Sequence, residues 1–212
     1  MTTLAIIDYG SGNVRSVRRA LEASAAGAGL KLEAVLTDDP ERIAKAERIV
    51  LPGVGHFADC AAGLRSRPGV IEAMTDGVKA GKPFLGVCVG MQLLADVGRE
   101  DVETPGLAWI HGAVERILPS DPALPVPHMG WNELKLTPHP VLAGLGADPH
   151  VYFTHSYVIA PAAARDVAAT FRYGGDFVAA VARDNLFGVQ FHPEKSQQAG
   201  QRLLANFLRW RP

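Results

Sequence analysis

A cysteine set between two glycines, Gly86-Val87-Cys88-Val89-Gly90, follows the apolar pair Phe84-Leu85 and leads into helix formers from Met91 to Ala95. This is the composition of a strand, a sharp turn and a helix start: a nucleophile elbow with a thiol in place of the usual hydroxyl. A reactive atom displayed at the end of a sheet strains its own backbone and needs small neighbours, which Gly86 and Gly90 supply. A thiol at a helix start also meets unpaired N–H groups and the positive end of the helix dipole, both of which favour the thiolate. A lone cysteine packs as a small hydrophobe. The strand before Cys88 and the glycines around it point instead to a nucleophile, and a nucleophile needs a base.

Of the seven histidines, His111, His139 and His150 lie in polar or turn-rich surroundings and are expected at the surface. His192 ends an apolar run, Leu186 to Phe191, with Glu194 two residues on. In an extended segment that spacing projects both side chains to one side. Glu194 could then accept a hydrogen bond from one ring nitrogen while the other faces a thiol. Pro193 stiffens the link. The implied set is Cys88 as nucleophile, His192 as general base and then general acid, and Glu194 fixing the imidazole tautomer. A second glycine-rich segment, Pro52-Gly53-Val54-Gly55, follows the apolar run Arg48 to Leu51. Its backbone N–H groups could serve an oxyanion hole, and its composition is equally that of an ordinary turn.

The elements that must carry these residues are legible as alternating patterns. Thr3 to Ile7, Leu32 to Leu36, Arg48 to Leu51 and the segment ending at Cys88 read as buried strands. Helices fall between them, through Val14 to Leu21, from Asp39-Pro40, and around Phe57 to Leu64 and Val70 to Val78. Such alternation predicts an α/β fold, flavodoxin-like and doubly wound, with a mainly parallel sheet and a ligand site beyond the strand carboxyl ends. After Ala95 the pattern changes. Leu107 to Ile117, Trp131 to Leu136, Val151 to Ile159, Asp166 to Phe171, Phe177 to Ala182 and Leu186 to Phe191 are strand-like and predict an added mixed or antiparallel region. A closing helix runs from a cap at Ser196 to Trp210. The spacing Gly10, Gly12 lacks the third glycine of a dinucleotide loop, whose place is taken by Arg15.

At 212 residues, with no repeat or interdomain linker, a single domain over 1–212 is expected. Lys and Arg total 21 against 22 for Asp and Glu, so no global field favours nucleic acid. Met1 to Gly10 lacks the features of a secretory leader, and no apolar stretch approaches the roughly 20 residues of a membrane span. A cytoplasmic protein is expected. With only Cys60 and Cys88 available, neither a disulfide framework nor a cysteine-rich metal site is expected, and no cofactor is called for.

The elbow with Gln92, together with Phe191-His192-Pro193-Glu194, resembles the class I, triad-type glutamine amidotransferases. Further motifs narrow the resemblance to the glutaminase subunits of imidazole glycerol phosphate synthase, over residues 4 to about 208. They are Asp8-Tyr9-Gly10-Ser11-Gly12-Asn13, Pro52 to Gly55, His128-Met129-Gly130-Trp131-Asn132, Tyr152-Phe153-Thr154-His155-Ser156-Tyr157 and His192 to Ser196. The resemblance implies attack of the Cys88 thiolate on the side-chain amide of L-glutamine and departure of ammonia after protonation by His192. Hydrolysis of the glutamyl thioester follows. It assigns the oxyanion to backbone N–H groups of Val89 and of Gly53 and Val54, and glutamine contacts to Gln92, Ser156 and Tyr157. Ser156 stands where relatives often have threonine, and the hydroxyl is kept.

It further implies a heterodimer with a (β/α)8-barrel cyclase. That partner uses the ammonia to make imidazole glycerol phosphate and aminoimidazole carboxamide ribotide in histidine biosynthesis. Asn13, Trp131, Asn132, Tyr152 and Lys195 match positions at or near that contact. Because Pro52 to Gly55 is built of flexible peptides, its donors are expected to be misaligned without the partner. The competing readings are the glutaminase subunit of another amidotransferase, a stand-alone cysteine amidase or peptidase of related fold, and a non-catalytic binding subunit.

Overall fold

The apolar runs of the first half form the parallel part of an eight-stranded sheet in the computed structural model, which describes residues 1–212. There β1 (Thr2–Ile7), β2 (Leu32–Thr37), β3 (Arg48–Gly53) and β4 (Phe84–Cys88) alternate with α1 (Val14–Gly27), α2 (Pro40–Lys45), α3 (Phe57–Arg65) and α4 (Val70–Lys79). β4 runs directly into the single-turn α5 (Val89–Gln92).

The second half brings β5 (Val97–Glu100), β6 (Val102–Pro105), β7 (Gly112–Arg116), β8 (His128–Glu133), β9 (Lys135–Leu136), β10 (His150–His155) and β11 (Tyr157–Pro161). It continues with β12 (Val167–Arg172), β13 (Asp176–Arg183) and β14 (Leu186–Val189), and closes with α6 (Gln197–Arg209).

The large sheet has the order β2-β1-β3-β4-β14-β13-β12-β9. Its strands are parallel from β2 to β14 and antiparallel from there to β9. β10 and β8 pair by themselves, and β11, β7, β5 and β6 form a third sheet. Every residue of β3 and β4 is buried, as central parallel strands covered on both faces require. α2 begins where predicted: the Asp39 carboxylate accepts from the Glu41 N–H at 2.9 Å, with Pro40 in the first turn. At the start of β3 the buried Arg48 donates through Nη1 to the carbonyls of Phe207 (3.1 Å) and Trp210 (2.8 Å). It thereby satisfies orphan acceptors at the end of α6.

Three differences from the sequence expectation bear on the site. The strand expected over Leu107 to Ile117 is only Gly112–Arg116, because the N–H groups of Leu107, Trp109 and Ile110 turn back onto the carbonyls of Leu93 and Leu94 just after α5. The run Val151 to Ile159 breaks at Ser156 into β10 and β11, which join different sheets. Ser196 precedes α6 but does not cap it. Its hydroxyl donates to the His192 carbonyl at 2.6 Å and accepts from the Tyr152 N–H at 3.0 Å, bolting the segment after β14 to β10.

Candidate active site

β3, β4 and β14 lie side by side and end at the same edge of the sheet, which brings Gly53, Cys88 and the segment after Val189 together. Cys88 sits at φ 54° and ψ −116°, the strained conformation expected of an elbow. A Cβ on Gly90 would lie 1.8 Å from the Leu51 carbonyl oxygen, and one on Gly86 would lie 2.7 Å from the Gly90 oxygen. A Cβ on Gly53, paired opposite Cys88, would come within 2.7 Å of the Gly90 nitrogen and 2.9 Å of the Tyr9 hydroxyl. The glycines therefore allow β3, β4 and α5 to touch backbone to backbone. α5 is a single turn, so the helix dipole expected to favour a thiolate is correspondingly small.

The charge near Cys88 comes from His192. Its Nδ1–H donates to Glu194 Oε1 at 2.8 Å, and the Cys88 thiol lies close enough to act on its titration. Both side chains of the His192 and Glu194 pair are almost fully buried, and Glu194 Oε2 has no partner. The carboxylate is thus directed at the imidazole alone. Burial pushes the His192 pKa down, but hydrogen bonds to Cys88 and Glu194 and their charges outweigh it and raise the pKa to about 9. The pairing is not made by an extended segment, as the two-residue spacing suggested. Pro193–Lys195 is a 3-10 turn, closed by the Lys195 N–H on the His192 carbonyl at 3.0 Å, with proline at its first position.

Cys88 and His192 open onto a cleft of about 420 Å³, lined also by Val54, Gly55, Val89, Gln92, Ser156, Tyr157 and Lys195. Gly53 is not on its wall. The Val54 carbonyl accepts from Ser11 Oγ at 2.8 Å and Cys60 Sγ at 3.3 Å, which fixes the orientation of that peptide. Gln92 is held in the framework: its amide nitrogen donates to the Tyr157 carbonyl and to Gln190 Oε1, both at 3.0 Å.

Gln190, fully buried, is absent from the motifs singled out above, yet its Nε2 points at Cys88 Sγ, 3.8 Å away. The available signal was a lone amide in an apolar run, two residues before His192. Glu100, Pro127, Thr154 and His155 also line the cleft. Glu100 comes from the β5–β6 hairpin, which the sequence pattern did not suggest. Both cysteines are free thiols. His139, expected at the surface, stacks on Phe187 with centroids 4.8 Å apart, and burial lowers its pKa.

Trp131, Tyr152 and Lys195 form one surface cluster beside the cleft. Trp131 is 47% exposed and meets the Tyr152 ring edge-on at 6.1 Å, while Lys195 Nζ lies 5.5 Å from that ring's centre. Asn13 is exposed at the start of α1 and makes no side-chain cap. Asn132 is half-buried on the inner side of β8, with its amide nitrogen 3.0 Å from the Arg172 carbonyl.

The family model of class-I glutamine amidotransferases matches residues 5–210, and the chain belongs to that family. Among solved structures, a glutamine amidotransferase superposes with a TM-score of 0.73 at 22% identity over 97% of each chain. PurLQS from Thermotoga maritima gives 0.72 at 18% identity over 98% of each. These likenesses establish the α/β architecture. Much closer in sequence are the imidazole glycerol phosphate synthase subunits HisH of Caulobacter vibrioides, 54% identical over the whole of both chains, and of Rhodospirillum rubrum, 53% identical over 99% of each.

Proposed function

We propose that this chain is the glutaminase subunit of an imidazole glycerol phosphate synthase, a single amidotransferase domain acting in the cytoplasm. It releases ammonia from L-glutamine for a barrel-shaped cyclase partner in histidine biosynthesis. Full-length identity above one half with two HisH subunits supports the assignment. The observation that carries the mechanism is the convergence of Cys88 and His192 at one cleft, with Glu194 bonded to His192 behind it.

In this mechanism the Cys88 thiolate adds to the amide carbon of glutamine. The resulting oxyanion lies against the N–H of Val89 and those of the Gly53-Val54 segment. His192, as imidazolium, protonates the departing nitrogen while Glu194 holds its Nδ1–H and balances its charge. Ammonia leaves, and a glutamyl thioester remains on Sγ. His192, now neutral, takes a proton from water, whose oxygen attacks the thioester. Glutamate and the free thiol are regenerated. Gln92, Ser156 and Tyr157 hold the glutamine. Ammonia passes to the cyclase, which docks over Asn13, Trp131, Asn132, Tyr152 and Lys195.

The test is glutamate release by the purified chain, alone and with the cyclase and its ligand. Low activity alone and strong stimulation by the liganded partner are expected, since in the lone chain Ser11 and Cys60 fix the Val54 carbonyl and the partner must re-aim the flexible Pro52 to Gly55 segment for its N–H groups to serve the oxyanion. Full activity of the lone chain would refute the regulatory part. Activity kept in Cys88→Ala would refute the mechanism.

A further inference from the structure

His128 and His155 are buried beside the cleft and take no part in the chemistry above. They face each other across the β8–β10 pair, where they are register partners, with His128 Nδ1 3.2 Å from His155 Nε2. The direction of this bond follows from its two ends. His155 Nδ1 lies 2.8 Å from the Tyr157 carbonyl, which can only accept, so Nδ1 carries a proton.

At the other end the Asn132 amide is fixed by two neighbours. Its Oδ1 accepts from the Glu133 N–H at 2.8 Å, and its Nδ2 donates to the Arg172 carbonyl at 3.0 Å. Nδ2 therefore also faces His128 Nε2, at 3.3 Å, as a donor. Only one arrangement satisfies both ends: Asn132 donates to His128 Nε2, His128 Nδ1–H donates to His155 Nε2, and His155 Nδ1–H donates to Tyr157. A proton added to His155 Nε2 would turn the His128 bond around and set two donors against each other at Asn132. Burial lowers both histidine pKa values to about 4, which keeps the rings neutral.

The Tyr157 carbonyl that receives this chain also receives Gln92. The other hydrogen of the Gln92 amide fixes Gln190 Oε1, and this turns the Gln190 Nε2 toward Cys88. We propose that His128 and His155 are positioning residues: a one-way hydrogen-bond relay that ties Asn132 on β8 to the Tyr157 carbonyl and, through Gln92 and Gln190, to the Cys88 thiol. It rests on the reading of Cys88 as the nucleophile. The relay makes the orientation of the donor at Sγ depend on a side chain at the rim of the molecule. His128 is confined for this by rings on three sides, stacking on Phe171 at 5.0 Å and lying against Phe153 and Tyr173.

The test combines two readouts on the full chain. Side-chain nitrogen NMR at neutral pH should show both rings as neutral Nδ1–H tautomers. The rate of Cys88 alkylation by iodoacetamide, located by mass spectrometry, should fall roughly five-fold in Asn132→Ala. In His155→Asn the amide keeps a donor to Tyr157 but reaches no further toward His128, so adding Asn132→Ala there should change the rate by less than about two-fold. The full Asn132→Ala effect persisting in His155→Asn, or an Nε2–H tautomer on His155, would overturn the relay. A wild-type chain that alkylates normally but does not turn over glutamine even with the cyclase and its ligand present would overturn the function proposed above, while the alkylation cycle, needing no glutamine, still decides the relay.

Discussion

Cys88 and His192 line one cleft from two parts of its wall, and the two parts are built differently. On the Cys88 side, β3, β4 and α5 meet backbone to backbone, with glycines at the contacts and aliphatic side chains behind. On the His192 side, position is set by side-chain hydrogen bonds: Glu194 on the imidazole, and Ser196 between His192 and Tyr152. Behind them stand aromatic rings, among them Phe153, Phe171 and Phe191. The first wall positions by exclusion. It is indifferent to protons and intolerant of an added atom. The second positions by donors and acceptors. It depends on which groups carry charge.

The largest effect that would expose this contrast is expected from Gly90→Ala. Its Cβ would fall 1.8 Å from the Leu51 oxygen, a backbone atom that cannot step aside. A loss of roughly 4 kcal/mol or more in urea unfolding is expected. A variant of near wild-type stability would show that the elbow wall yields. On the His192 side Glu194→Gln keeps an acceptor for the His192 Nδ1–H but removes the charge. It should still fold, losing only the Glu194 share of the His192 stabilisation, about 1–2 kcal/mol, while kcat falls by about 10²–10⁴ and KM moves little. Collapse of the fold in this variant would erase the distinction between the walls.

A smaller effect is expected from pH. The folded value of His192, about 9, lies above its ordinary 6.5, since its bonds to Cys88 and Glu194 outweigh the opposing burial. The stabilisation this brings is complete below pH 6.5 and disappears as pH rises through 9, an effect on the order of 3 kcal/mol. The urea midpoint should fall over that window, and less steeply in Cys88→Ala, which removes one of the two partners. A flat wild-type profile would contradict the geometry. The smallest change is expected from Lys195→Ala. It removes a cation from the Tyr152 ring and should cost the isolated chain about 0.5–1 kcal/mol, measured by the same unfolding.

The two walls also differ in how far they could be read from sequence. Gly86 to Gly90 are five consecutive residues whose spacing carries its own reason, and β1 to β4 alternate with helices as their apolar runs require. The His192 wall depends on partners far along the chain. Gln190 becomes meaningful only when Gln92 is found beside it, 98 positions away, and His128 only when β8 pairs with β10. No local pattern encodes either meeting. The β5–β6 hairpin escaped for another reason. Its strands are short and largely exposed and turn at Asp101 with φ 58°, so they lack the apolar alternation that marks a strand. The proximity of His192 and Glu194 was legible, although the turn that produces it was not.

Arg48 gives these walls a common frame. β3 carries Gly53 at one end and Arg48 at the other, while α6 starts just after the His192 turn and finishes in the carbonyls that Arg48 holds. The molecule therefore contains a closed mechanical loop: down β3, across the Arg48 guanidinium, and back along a helix of 13 residues, about 20 Å, to the base. The gap between nucleophile and base is set partly from the far end of the sheet. Shortening the chain past Trp210 would slacken that gap without touching a single atom of the cleft.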